Sequence, residues 1–226
     1  MRVFDYVASH PNAGITYPKS EMILAAHADA GYLNETEARS RVGAIFFLSE
    51  NDEVPRINGA VHIIAKIIKH VMSSAAEAEI GALFYTAQDG VILRNTLIEM
   101  GWPQPKTPVQ TDNSTAAGVV NKTIQPKRTK SMDMRFHWLR CRGAQGQFRF
   151  YWSPGTSNLG DYFTKHFSPT VHQGKRGVYV SESLFKENEH ECNSALLEVM
   201  NVLQGCVDLE LLELVPAHSW LTAEAA

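Results

Sequence analysis

The sequence predicts an α/β fold built around one sheet. Three observations carry this. Strand-like and helix-like segments follow one another in the order strand, strand, strand, helix, strand, helix, helix, strand, helix. Apolar runs rich in Val, Ile and Phe are short and bounded by polar turns. One long segment instead repeats its apolar residues at helical spacing.

Taken in order, residues 1–10 suit a short helix, ended by Pro11-Asn12-Ala13-Gly14. A first strand is expected at 21–28 and a polar turn at Asn34 to Arg41. The second strand is Val42 to Leu48, and the third falls within 59–72. Ser74 reads as a helix N-cap, with Glu77 completing a capping box. The helix runs to about Met100 on a stripe of Ala76, Ile80, Leu83, Phe84, Ala87 and Val91, and Gly101-Trp102-Pro103 stops it. A fourth strand at 108–111, a helix at 114–121, a basic turn at 122–130, a helix at 131–142 and a fifth strand at 147–152 follow. After the loop Ser153 to Asn158, a last domain helix is expected to start near Leu159.

The chain of 226 residues is 44% hydrophobic and 20% charged, enough for one good core and an appendage. No apolar run approaches the length of a membrane-spanning helix, and Met1 to Tyr6 lacks the apolar core of a signal peptide, so no membrane partner is expected. Three cysteines without CxxC spacing, Cys141, Cys192 and Cys206, suggest free thiols in a reducing, intracellular setting. The net charge of −3 hides an asymmetry. Lys122 to Arg149 holds eight Lys/Arg and one acid, whereas Glu182 to Ala226 holds nine acids and one Lys. Charge runs often mark solvated faces. This belt is also interleaved with Phe136, Trp138, Phe148 and Phe150, which favours contact with a phosphate backbone. Lys127, Arg128, Lys130, Arg135, Arg140 and Arg142 are its candidate contacts.

Four acids stand at the edges of apolar segments: Asp29, Glu79, Asp112 and Asp161. Carboxylates gathered in one place repel one another unless a cation neutralises them, and hard oxygen ligands select Mg²⁺ or Mn²⁺. Each has a structural alternative. Asp29 and Asp112 suit turns or caps, and Asp161 suits the start of a helix. Helical geometry does not choose between Glu77 and Glu79, but Glu77 already has a capping task and Glu79 has none.

Five segments recur in one order: Ala28-Asp29-Ala30-Gly31-Tyr32, Ser73 to Glu79, Thr111-Asp112-Asn113-Ser114-Thr115-Ala116, Arg128 to His137, and Gly160-Asp161-Tyr162-Phe163-Thr164-Lys165. Together they resemble the ribonuclease H domain of copia-type retrotransposon Gag-Pol polyproteins, over roughly residues 1–170. The resemblance implies a ribonuclease H-like fold, with a mixed five-stranded sheet and helices on both faces. Beyond its reach, 171–226 is an acidic extension in which Ala195, Leu196, Val199, Met200 and Leu203 recur at helical spacing, so a short amphipathic helix is expected within 189–204. The resemblance divides the rest into a remnant of the polymerase–ribonuclease H joint at 1–20 and the domain at 21–170. It takes the second acid of Glu-x-Glu, Glu79, as the catalytic one. It implies that Asp29, Glu79, Asp112 and Asp161 hold two Mg²⁺ or Mn²⁺ ions, which belong about 3.5–4 Å apart, for hydrolysis of the RNA strand of an RNA–DNA hybrid. The implied partners are that hybrid and the polymerase and integrase parts of a parent polyprotein. The implied location is cytoplasmic, in a virus-like particle, or nuclear. Cellular and retroviral ribonucleases H carry a histidine in the loop before the last aspartate. Ser153 to Asn158 has none, as is general in the copia type, so proton transfer and product release have no assigned residue. His137 sits inside a predicted helix, where a lone histidine is usually structural. No Asp-Asp dipeptide of the polymerase kind is present. Two rivals remain: a non-catalytic, domesticated or decayed nucleic-acid-binding domain of the same fold, and an interaction module whose acidic tail docks a partner.

Overall fold

The computed structural model describes residues 2–124 and 133–181, with side chains from residue 4 and, after the gap, from residue 134. Lys127, Arg128, Lys130 and the helix expected within 189–204 lie outside the described residues. Gly14–Ser181 makes one compact unit. Helix α1 (Arg2–Ser9) lies outside that unit and places Asp5 in its first turn.

Within the unit, β1 (Ile23–Glu35), β2 (Arg39–Ser49), β3 (Ala60–Ile68), β4 (Thr107–Thr111) and β5 (Phe148–Trp152) form a five-stranded sheet in the order β3-β2-β1-β4-β5. β1 pairs antiparallel with β2, and β2 antiparallel with β3. β4 joins parallel to both β1 and β5. Short turns suffice for the first three strands, whereas each parallel joint requires a crossover. Helix α2 (Ala75–Glu99) supplies the crossover into β4. Helices α3 (Ser114–Val120) and α4 (Asp133–Ala144) lie along the crossover into β5. This is the mixed five-stranded sheet that the resemblance implies.

Strand periodicity sends alternate residues to opposite faces. Leu24, Ala26, Ala28, Val42, Ala44, Phe46, Ile64, Ile68, Val109, Phe148 and Phe150 point to one face and are buried. There they meet Ile80, Leu83, Ala87, Val119, Phe136 and Leu139 of the three helices. The other face carries Ala25, His27, Asp29, Gly43, Ile45, Phe47 and Gln110. A 3-10 turn, Leu159–Phe163, packs on this second face against β1 and β2.

Two elements differ from expectation. β1 runs past residue 28 to Glu35, so the turn shrinks to the 3-10 segment Thr36–Ala38. Its outer end is polar but pairs regularly as far as Gly31↔Arg41, with a register shift before Glu35↔Arg39. The helix expected from Leu159 is only the 3-10 turn. The α-helix of this region, α5 (Pro169–Arg176), begins after Ser168 with proline in its first turn, a position that tolerates a missing N–H. His137 is exposed on α4, with its ring edge against Phe136 at 5.2 Å between centroids. Among the described residues, no helix is long and apolar enough to cross a membrane.

Candidate active site

The start of α2 explains how its two glutamates divide. Ser74 caps the helix by accepting the Glu77 N–H at 3.1 Å. The Glu77 carboxylate turns back and accepts the N–H of Ser73 at 2.8 Å, and the Ser73 hydroxyl also donates to it. That leaves Glu79 to face the sheet from the helix side. It accepts the Thr111 hydroxyl at 3.4 Å and the Ala30 N–H. Thr111 is the last residue of β4 and Asp112 follows it directly.

Asp29 does not end its strand; it sits within β1, opposite Gly43. The parallel neighbour β4 ends at Thr111, just after Gln110, which pairs with His27. Asp29 is therefore level with the carboxyl end of β4, where a crevice opens in parallel sheets. Asp161 reaches the same spot from the 3-10 turn. That approach requires two glycines. A Cβ on Gly160 would lie 2.9 Å from the Asp29 amide nitrogen, 3.0 Å from Asp29 Cβ and 3.0 Å from the Gly43 carbonyl oxygen. A Cβ on Gly43 would lie 2.5 Å from the Gly160 carbonyl oxygen. Asn158 pins the turn to the strand, donating to the Ala28 carbonyl at 2.8 Å and accepting the Gly160 N–H at 3.0 Å. From the far side, Tyr179 stacks on Tyr162 at 4.4 Å and donates to the Leu159 carbonyl at 2.8 Å. The loop without histidine approaches Asp112 at Gly155, where a Cβ would be 2.7 Å from Asp112 Oδ2.

The result is a cluster in which carboxylate oxygens of Asp29, Asp112 and Asp161 all lie within 4.8 Å of one another. Glu79 feels the charges of Asp29 and Asp112 from the helix side. The electrostatics follow from this crowding. Burial, followed by the charges of Asp29 and Asp112, pushes the Glu79 carboxyl up to about 9. Burial pushes Asp29 up to about 6; the Thr164 hydroxyl bond works against this rise and the Asp161 charge adds to it. Asp112 is raised chiefly by burial. Two ammonium groups answer this negative charge. Lys165 Nζ bonds Asp161 Oδ1, and Lys175 Nζ lies 3.9 Å from Asp161 Oδ2. The Thr164 hydroxyl donates to Asp29, and Asn34 donates to the Thr164 carbonyl at 2.6 Å.

All four sequence-derived acids thus converge: three share ligand spacing, and Glu79 borders them. Lys175 and Asn158 were not singled out in the sequence, and Thr164 and Lys165, though part of the motif Gly160 to Lys165, carried no assigned role. Lys165 carried a signal, its i,i+4 spacing from Asp161. Lys175 carried none. His27 is also buried beside the site. Burial lowers its imidazole to about 4, and its Nδ1 accepts the Leu159 N–H at 3.3 Å, so it supports the turn as a neutral ring.

The described part of the basic belt is partly committed to structure. Arg140 donates to the Val119 carbonyl at 2.7 and 3.2 Å and covers the Phe136 ring at 3.9 Å. Arg142 lies over Trp138 at 4.8 Å and bonds Gln145 and Gln147. Arg135 is half-buried and reaches Met72.

No family model matches the chain. Over 122 residues, 54% of its length, the chain is 30% identical to the retrovirus-related Pol polyprotein from transposon TNT 1-94 of Nicotiana tabacum. It spans only 9% of that polyprotein. The likeness to a retrotransposon Pol polyprotein read from the motifs is borne out by this match. Among solved structures, a ribonuclease H1 isolated from compost by a metagenomic approach aligns with a TM-score of 0.48 at 15% identity, covering 63% of this chain and 92% of that one. The N-terminal ribonuclease H domain of a Mycobacterium tuberculosis protein aligns with a TM-score of 0.45 at 15% identity, covering 63% and 91%.

Proposed function

We propose that this chain is the ribonuclease H part of a copia-type retroelement polyprotein and hydrolyses the RNA strand of RNA–DNA hybrids during reverse transcription. One observation carries the reading. Three carboxylates from separate elements bring oxygens within 4.8 Å of one another, with a fourth carboxylate at their border. An all-oxygen, anionic donor set of this kind fits Mg²⁺ or Mn²⁺.

Asp29, Asp112 and Asp161, with Glu79, would hold two such ions, which supply an activated water and stabilise the leaving 3′-oxygen. The remaining work belongs to the chain. β1, β4 and the 3-10 turn fix the aspartates independently, so the cluster is arranged before substrate arrives. Thr164 holds one oxygen of Asp29, and Thr111 and the Ala30 N–H orient Glu79. The basic belt, including Lys127, Arg128 and Lys130, contacts phosphates, so affinity depends on salt and little on base sequence. Under this reading the partners are the hybrid and the polymerase and integrase of the parent polyprotein. The setting is a cytoplasmic virus-like particle or the nucleus.

The test is a panel of labelled substrates with Mg²⁺ or Mn²⁺. The RNA strand should be cut in the hybrid, while single-stranded RNA and duplex DNA stay intact, and a chelator should stop the reaction. Tight hybrid binding without cleavage under either ion would instead support the non-catalytic alternative.

A further inference from the structure

The cluster contains its own cation. Lys165 Nζ is hydrogen-bonded to Asp161 Oδ1, and its charge also acts on Asp29 and Asp112. The three carboxylates it addresses are the three that share ligand spacing. Burial works against the ammonium form. The Asp161 bond and the charges of Asp29, Asp161 and Asp112 outweigh that, and the group is held above its ordinary range. Yet the side chain is 50% exposed, whereas the Asp161 side chain is 12% exposed. The carboxylate is fixed and the ammonium has an open route to solvent along a flexible four-carbon stem. Lys175 differs: it stands 3.9 Å from Asp161 and is also held over Phe167 at 4.7 Å.

We propose that Lys165 is a displaceable internal cation, whose ammonium keeps Asp29, Asp112 and Asp161 gathered before metal binds and gives up its place when a divalent cation enters. This rests on the metal-site reading above. An ammonium touching Asp161 and a metal ion shared by the same carboxylates compete for the same oxygens and the same negative charge. Lys165 therefore preorganises the cluster and weakens its affinity for metal. Once displaced, the ammonium remains within a side-chain length of the cluster, free to meet a substrate phosphate. Lys165 is thus a positioning residue that sets the metal concentration at which the site fills.

The experiment measures Mn²⁺ binding to the full chain by calorimetry, without substrate, for the wild type, Lys165→Met and Lys165→Arg, with melting temperatures taken in chelator and in saturating Mn²⁺. Removing a charge-assisted bond at a half-exposed group should tighten Mn²⁺ binding of Lys165→Met by roughly three- to tenfold. The metal-free melting temperature should fall, and most of the difference should vanish in saturating Mn²⁺. Lys165→Arg keeps the charge and should bind Mn²⁺ no tighter than the wild type. Equal or weaker binding by Lys165→Met overturns the inference while leaving the metal site standing, as does tightening by both variants alike. Absence of Mn²⁺ binding in all three proteins overturns the inference and the metal-site reading together.

Discussion

The contact between Gly160 and β1 decides where Asp161 sits, and a single methyl group probes it. The substitution Gly160→Ala places that methyl 2.9 Å from the Asp29 nitrogen, 3.0 Å from Asp29 Cβ and 3.0 Å from the Gly43 oxygen. Carbon contacts are comfortable at about 3.5–4.0 Å, so each gap must open by roughly 0.5 Å or more. None of these atoms is the free end of a side chain. All belong to the paired residues Asp29↔Gly43 in the middle of the sheet, so the turn must move instead. Overpacking of this kind costs about 1–3 kcal/mol. For a domain of this size that is a fall of roughly 2–12 °C in melting temperature. The turn carries Asp161 as its next residue, and a misplacement approaching 1 Å costs about 100-fold in rate. Gly174→Ala is the matched control. It lies inside α5 with no atom within 4 Å of the added Cβ, and helix preference favours alanine by about 0.5–1 kcal/mol. The assay is thermal melting together with single-turnover hybrid cleavage. If Gly160→Ala melts and cuts like the wild type, this contact does not hold Asp161 in place and the site is not built around it.

Other outcomes follow from the same geometry. Asp29 and Glu79 have folded-state values raised to about 6 and about 9, so they bind protons more tightly when folded than when unfolded. Their contribution is therefore full below about pH 4, is lost from Asp29 as pH rises through about 6, and goes on falling through about 9 for Glu79. In chelator, melting temperatures between pH 5 and pH 8 should decline with this component, and added Mn²⁺ should stabilise more at pH 8 than at pH 5; a larger metal effect at pH 5 would contradict the assignment. Asn158→Ala removes two bonds from a buried side chain and should cost about 1–3 kcal/mol by denaturant melts, with cleavage falling as the turn loosens. Replacing Lys127, Arg128 and Lys130 together by alanine should reduce the slope of log affinity against log salt by about 2–3, and an unchanged slope would return the belt to an ordinary solvated surface.

Much of this architecture was legible in the chain because its signals are local. Ser74 and Glu77 announce the start of α2, and Gly101-Trp102-Pro103 announces its end. The capping task of Glu77 frees Glu79, and both roles are visible in the hydrogen bonds. Asp112 follows a strand that ends at Thr111, as its position after an apolar run suggests. What could not be read depends on contacts distant in sequence. β1 continues past residue 28 because β2 pairs with it as far as Gly31 and again at Glu35, which no local preference predicts. Gly43 and Gly160 are unremarkable in sequence and matter only because their backbones meet. The 3-10 turn takes the place of a helix where Asn158 fastens its start to β1 and the Tyr179 hydroxyl bonds the Leu159 carbonyl. Lys175 comes to Asp161 from α5, fourteen residues further along the chain, with no motif linking the two.

The central claim is that the carboxylate cluster cuts RNA with divalent metal, and the rate of hybrid cleavage as a function of Mg²⁺ concentration, in the wild type and in Asp112→Asn, tests it most directly. The substitution keeps the shape of a half-buried side chain and removes one ligand charge, so the melting temperature in chelator should be unchanged or slightly higher, because the Asp112 carboxyl is raised. The expected result is metal-dependent cleavage by the wild type and a loss of at least about 100-fold in Asp112→Asn, on the scale of removing one preorganised electrostatic group. Cleavage by the variant at the wild-type rate, or wild-type cleavage that persists in chelator, would contradict it.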